Sequence, residues 1–352
     1  MRITEQNTAG RVFPPEAIGK LMKQTEQQIM ASWTETNRIP KVSVICTVYN
    51  HEKYIRDTLE GFLIQQTTFP FEVLVHDDAS TDSSTAILRE YAAEYPNIII
   101  PIIQTENQYS KGNNWGHPKT INPHIRGKYV ALCEGDDYWT DSDKLQKQIT
   151  YMEDHPDCTM TFHAANYEVD GRITGNDRHG RSERDFTIED LIKGGGAFCA
   201  TSSLCCRTDA YLQYPRFRTM AEIGDYPQQI LMGLLGKVHY FPEIMSVYRF
   251  KASGSWTKNA YKQEGSLAMY KLAVNQTRWM TEFDCYTDHK YEDLVSEQID
   301  AVVRDGIYQK DMEITKLEAV YRSASWRLGN FLIQPLHALK MLFLKMSRKN
   351  KR

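Results

Sequence analysis

The stretch VSVICTVYNHEKYIRDTLEGFLIQQTTFPFEVLVHDDASTD, residues 42–82, carries the signature of the fold. It opens with a β-branched run, Val42 to Val48, bounded by polar residues, which reads as a buried strand. From about Glu52 to Gln65 the period changes, and Ile55, Leu59 and Phe62 fall on one face of a helix. Phe71 to Val75 is a second strand, ending in small polar residues (Asp77 to Asp82) that suit a turn and the cap of a helix over Ser84–Tyr95. Ile98 to Ile103 and Tyr129 to Cys133 supply a third and a fourth strand. Strand and helix alternate, so the first half is expected to be an α/β, Rossmann-like, mainly parallel sheet flanked by helices.

Outside this stretch the reading is coarser. Residues 15–36 read as a polar helix, with Pro15 in its first turn and Ile18, Leu21, Met22 and Ile29 at helical spacing. Leu145, Ile149 and Met152 mark a helix that Pro156 ends. Mixed short strands and Gly-rich turns, including Gly194-Gly195-Gly196, then run to about Trp256, and Tyr261 to Tyr321 reads as helical. The 352 residues amount to two or three domains' worth of chain. Four segments are expected: an N-terminal helical extension over 1–39, a catalytic domain over 40–256, a helical region over 257–327 and an amphipathic basic tail over 328–352.

Composition excludes several classes. The net charge is −3, and six Lys or Arg with no acid lie in 340–352, leaving the rest of the chain at −9. An acidic body argues against a nucleic-acid binder. Seven scattered Cys suggest neither a disulfide framework nor a zinc site, and a reducing cytoplasm suits them. The opening MRITEQNTAG has no apolar stretch behind Arg2, so no secretory leader is expected. The most apolar segment, Leu328 to Met346, is broken by Asn330, Gln334, Pro335, His337, Lys340 and Lys345, and is not expected to span a bilayer.

Three polar groups fall just past strand ends: Thr47/Tyr49/Asn50, Asp77/Asp78 and Glu134-Gly135-Asp136-Asp137. In open α/β sheets ligands bind there, beyond the carboxyl ends of the strands. Clustered carboxylates repel one another unless a cation neutralises them, and oxygen-only ligands favour Mg²⁺ or Mn²⁺. By spacing alone, helix caps and turns explain the same residues equally well. No phosphate-binding GxxxxGK[ST] loop and no HExxH motif competes.

Three segments, VSVICTVYNHEKYIRDTLEGFLIQQ, FEVLVHDDASTDSS and GKYVALCEGDDYW, with IGDYPQQILMGLLGKVHYFPEIMSVYR downstream, resemble the GT-A glycosyltransferases of family 2, of bacterial surface-polysaccharide type. The resemblance covers roughly residues 40–256. It implies that Thr47 and Tyr49 line the nucleobase pocket and that Asp78, with Asp77 as the second choice, accepts a hydrogen bond from the base. Glu134 faces the ribose, and Asp136, helped by Asp137, holds a metal, Mn²⁺ or Mg²⁺, on the diphosphate. Asn107 and Lys111 reach the nucleotide from the loop after the third strand. Asp225 stands where inverting members carry the base that deprotonates the acceptor hydroxyl; taken alone, it reads as a helix N-cap ahead of Gln228-Gln229-Ile230-Leu231. Specificity is expected within 157–256, with His163, Asn166, Thr201, Ser202 and Ser203 as candidates.

Two departures from the family pattern stand out: Glu134 where many relatives have Asp, and Lys251 where many have a His two residues after the Arg of Tyr248-Arg249. A charged Lys pairs with phosphate but does not ligate a metal. Ser325-Trp326-Arg327-Leu328, with the tail behind it, resembles the C-terminal ends of bacterial members. If helical, Leu328, Leu332, Leu336, Leu339, Phe343 and Met346 share a face ahead of the basic terminus, a pattern that suits an anionic membrane surface. A helix packed on the catalytic domain is the other reading of the tail. The resemblance thus implies an inverting glycosyltransferase, cytoplasmic and peripheral on the inner face of the membrane. It would move a sugar from a nucleotide sugar, a UDP-sugar for preference, to a glycan or lipid-linked glycan in surface polysaccharide synthesis. A degenerate membrane-bound scaffold and a nucleotidyltransferase remain as alternatives.

Overall fold

In the computed structural model, residues 24–34, 39–111, 116–250 and 266–306 are described. The strands are β1 (Val42–Val48), β2 (Phe71–Asp77), β3 (Ile99–Ile103), β4 (Tyr129–Leu132), β5 (Tyr138–Trp139), β6 (Cys158–Val169), β7 (Arg172–Asn176), β8 (Arg184–Phe186), β9 (Cys205–Arg207) and β10 (Lys237–Arg249). The helices are α1 (Glu26–Ala31), α2 (Ile55–Leu63), α3 (Ser84–Glu94), α4 (Gly116–Ile121), α5 (Lys144–Asp154), α6 (Ile188–Gly194), α7 (Thr208–Tyr211), α8 (Arg216–Met220), α9 (Asp225–Leu235) and α10 (Ser266–Tyr286). A further helix covers 292–306.

All ten strands join one sheet, in the order β3-β2-β1-β4-β9-β6-β10-β5, with β7 added to β6 and β8 to β10. From β3 to β4 the neighbours are parallel, as the alternating pattern predicts. Beyond β4, where mixed strands are expected, β9 runs antiparallel to both β4 and β6, so the sheet as a whole is mixed. The short strands expected there are corrected. β6 has 12 residues and β10 has 13, and the two pair in parallel along most of their length through several register shifts. Polar residues such as His163, Asn166 and Glu168 interrupt the apolar pattern of β6, which makes one long strand read as fragments.

β1 and β2 are buried almost throughout, as central parallel strands with helices on both faces must be. One face is covered by α1, α2, α3 and α5, whose Ile29, Ile55, Leu59, Phe62, Leu88 and Ile149 pack on Val44, Val73 and Ala131. The other carries α6 to α10 and the 292–306 helix, with Leu191, Ile230, Leu231, Phe217, Phe283 and Val295 over Met160, Phe162 and Val238. Gly61 on α2 matters for the site: a Cβ there would lie 2.8 Å from the backbone N of Trp139. Only a glycine lets α2 press against β5, the strand that follows the acidic segment. Trp139 is fully buried, donates from Nε1 to Ser202 O at 2.9 Å and meets Phe62 edge-on.

The helical reading of the C-terminal region holds where it is described, over Ser266–Tyr286 and 292–306. The single helix expected over 15–36 is corrected where it is described, since Thr25 is extended and caps a helix confined to Glu26–Ala31; Pro15, Ile18, Leu21 and Met22, Lys251, and the whole tail over 328–352 lie outside the described residues. Among the described residues no helix is long and apolar enough to cross a membrane.

Candidate active site

The strand order reverses between β1 and β4, since β2 and β3 extend from one side of β1 and β4 begins the other. Side chains beyond the carboxyl ends of these strands therefore face one crevice. Val48 lies level with Asp77, and Asp77 with Ile103. The loops after β1 and β2 are laced together: Ser80 Oγ pairs with Asn50 N at 3.0 Å, Thr81 N donates to Asn50 Oδ1 at 2.8 Å, and His51 N to Ser84 Oγ at 2.9 Å. Asn50 and Ala79 both take left-handed backbone, with φ of 57° and 60°.

The two neighbouring aspartates differ. Asp77 is fully buried, and its carboxylate accepts from Ser80 N at 2.9 Å and from the Thr85 hydroxyl. It holds the turn into α3. Asp78 is half-buried, and its two oxygens accept from Gln108 N at 2.8 Å and Tyr109 N at 3.1 Å. Asn107 Nδ2 donates to the Asp78 carbonyl at 2.9 Å. Asp78 and Asn107 thus meet, with Asp78 anchoring the loop after β3. Lys111 is exposed and pairs with Glu106. Thr47 is half-buried, and Tyr49 presents its ring to solvent, 37% exposed.

The acidic segment follows β4. Cys133 N donates to Ile45 O at 3.1 Å and Gly135 N to Thr47 O at 2.9 Å, which extends the β1–β4 pairing past the end of the strand. A Cβ on Gly135 would lie 2.7 Å from Val48 Cγ2 and 2.9 Å from His51 Nδ1, so the segment hugs the end of β1 only because this residue is glycine. Thr58 Oγ1 donates to the carbonyls of Gly135 at 3.0 Å and Asp137 at 2.6 Å. Glu134 is left half-buried, Asp136 7% exposed and Asp137 1% exposed.

Asp225 arrives from the other half of the sheet. It is the first residue of α9; Gly224 is the N-cap, so the capping reading does not hold. Its Oδ2 accepts from Thr201 Oγ1 at 3.2 Å. Burial raises the Asp225 carboxyl above its ordinary range. Burial also pushes the Glu134 carboxyl well up, and the charges that add most are Asp225, then Asp136, then Asp137. Asp137 is pushed well up by burial and by Asp136. Four carboxylates from two distant stretches therefore share one electrostatic environment. His51 Nε2 lies 4.0 Å from Asp136 Oδ2, and burial holds this imidazole below its usual range, toward the neutral form.

These residues fit a divalent cation. The carboxylates crowd one another without a matching charge, and Asp137 Oδ2 is buried with no hydrogen-bond partner. Among the described residues no three His, Cys, Asp or Glu side chains are gathered closely enough to hold a metal by themselves. A hard cation bound through one or two carboxylates and completed by substrate phosphates is the usual mode for Mg²⁺.

Sequence reasoning named Arg249 only as the landmark two residues before Lys251 and gave it no role, and it missed Thr58 and the pairing of Thr201 with Asp225. No local signal gives these roles, because each acts on a residue far away in the chain. The specificity candidates are largely corrected: His163, Ser202 and Ser203 are fully buried and Asn166 nearly so, leaving only Thr201 beside the acidic cluster.

The family model of glycosyl transferase family 2 matches residues 43–214. An uncharacterized protein of Mycobacterium tuberculosis is 37% identical over 217 residues, 61% of this chain and 60% of its own length. The match thus spans less than two thirds of that relative. TuaG of Bacillus subtilis, named as a teichuronic acid biosynthesis glycosyltransferase, is 25% identical over 255 residues, 72% of this chain and 96% of its own. Among solved structures, S. aureus TarS with UDP-GlcNAc superposes with a TM-score of 0.50 at 22% identity, over 67% of this chain and 66% of that one. That likeness shows the fold, which is GT-A.

Proposed function

The chain belongs to glycosyltransferase family 2 through residues 43–214, and from that premise we propose that it is an inverting transferase. It moves a sugar from a UDP-sugar to a glycan acceptor, lipid-linked for preference, in the synthesis of a surface polysaccharide. One observation carries the reading. Asp225 and the Glu134–Asp137 segment, about 90 residues apart in sequence, share one electrostatic environment beside the switch-point crevice. A scaffold has no need of that arrangement, whereas transfer needs both a base and an anchor for diphosphate.

In this reading Thr47 and Tyr49 flank the base, and Asp78 reads it while holding the Gln108–Tyr109 backbone. Asn107 completes that wall, with Lys111 as the outermost donor toward the nucleotide. Glu134 bonds the ribose. Asp136, with the free oxygen of Asp137, would hold Mn²⁺ or Mg²⁺, which when bound stabilises the departing diphosphate. Asp225 takes the proton from the acceptor hydroxyl. A single carboxylate base with direct displacement inverts the anomeric centre, and no second nucleophilic carboxylate is required. The polymer class follows TuaG, whose name refers to teichuronic acid.

Calorimetry tests the donor half. UDP should bind better than GDP, and better with Mn²⁺ than in EDTA. Equal affinity for both nucleotides would remove base recognition by Asp78, and indifference to EDTA would remove the metal. The tail is tested separately. Full-length protein should co-sediment with anionic vesicles, and deletion of 328–352 should release it, since basic residues contribute about 1 kcal/mol each near such a surface. Full-length protein left in the supernatant would show that the tail does not bind membrane.

A further inference from the structure

Arg249 ends β10 and is 6% exposed. Its guanidinium donates from Nη1 to the Asp136 carbonyl at 3.0 Å and from Nε to Glu168 Oε1 at 3.1 Å, and it pairs through Nη2 with Asp57. The plane lies over Tyr138, 4.3 Å from the ring centre, and near Tyr54 at 5.1 Å. Tyr138 closes the frame by donating to Glu168 Oε2 at 2.9 Å. The Arg249 backbone N–H goes to Asp137 Oδ1 at 2.8 Å.

The charges decide what Arg249 does here. Asp57 and Glu168 are both ion-paired to it, so the trio carries a net −1. Asp57 and Glu168 offset the guanidinium's charge, which still eases Asp137 but is not among the charges acting on Glu134. At Asp136 its contribution is geometric: one rigid fork, fixed by two carboxylates and a ring, grips the main chain there.

We propose that Arg249 is the positioning residue of the donor site, setting through the Asp136 carbonyl where the Asp136 carboxylate points into the crevice. This rests on the family 2 reading of that carboxylate as the anchor for metal and diphosphate. A lysine cannot replace the fork, because its ammonium is a point donor without the planar array that reaches Asp136, Glu168 and Asp57 together. The backbone bond to Asp137 survives any such substitution, so the effect falls on Asp136.

The test is calorimetry of UDP with Mn²⁺ and with EDTA on the full chain, below the melting temperature of every variant. In Arg249→Lys the gain in UDP affinity from Mn²⁺ should fall about tenfold or more, the range seen when partners behind metal ligands are removed, while binding in EDTA is unchanged. A purely structural role predicts a lower melting temperature with the Mn²⁺ gain intact, and that result overturns the proposal. If Arg249→Lys does not fold, Glu168→Gln loosens the same fork more gently and should reduce the Mn²⁺ gain in the same direction; an unchanged gain there overturns the proposal equally. Asp136→Asn separates the two levels. If it retains the Mn²⁺ gain, the underlying donor-site reading falls; if it loses the gain while the Arg249 and Glu168 variants keep it, only the role of Arg249 falls.

Discussion

Replacing Asp225 with asparagine should lower transfer by about 10²- to 10⁴-fold, the usual contribution of a general base, while UDP still binds. The amide keeps the size of the carboxylate and its capacity to accept from Thr201, so α9 should start as before. What it loses is the ability to take a proton. The pH profile checks the assignment by its sign. Burial raises the Asp225 carboxyl, and a base works only when ionised, so kcat/KM should fall as pH drops through a value above the ordinary carboxylate range. Thr201 opposes that shift by donating to the ionised form, so Thr201→Val should move the acid limb to higher pH. Near-normal turnover by Asp225→Asn would remove it from the base role. Loss of UDP binding would assign it to the donor site instead.

Asp136→Asn should remove most of the Mn²⁺-dependent affinity for UDP, by about 100-fold or more, since even partners one shell further out cost 10- to 100-fold. Stability should move the other way. Asp136 is among the charges that push the Glu134 carboxyl up, and it is the leading one at Asp137. Removing it relieves repulsion within the cluster. The metal-free variant should therefore melt no lower than the parent, whereas a substitution that damaged packing would melt lower. Unaltered Mn²⁺-dependent binding would exclude Asp136 as the anchor.

The first half of the fold was legible because its determinants are local. β1 and β2 are seven-residue strands built around Val44-Ile45-Cys46 and Val73-Leu74-Val75, and α2 shows its buried Ile55, Leu59 and Phe62 at helical spacing. The position of the acidic segment was legible too, since a carboxylate group just past a predicted strand already implies the ligand edge of the sheet. The division of labour between Asp77 and Asp78 was not. Identical side chains one residue apart alternate across a strand, and only the folded loops show that Asp77 is consumed by Ser80 and Thr85 while Asp78 holds the loop after β3.

The order of residues was enough to specify the α/β core and the carboxylates past its strand ends, because strand and helix periodicity is written over ten residues or fewer. Three further things required the folded chain. Folding paired β6 with β10 in parallel, a register set between residues about 80 apart that no local pattern encodes. It brought Asp225 near enough for its charge to raise the Glu134 carboxyl. It placed Arg249 against Asp136 and Asp137, more than 110 residues earlier in the chain. A buried guanidinium needs acceptors in several directions at once, and only packing from several elements, here α2, β6 and the segment after β4, can supply them.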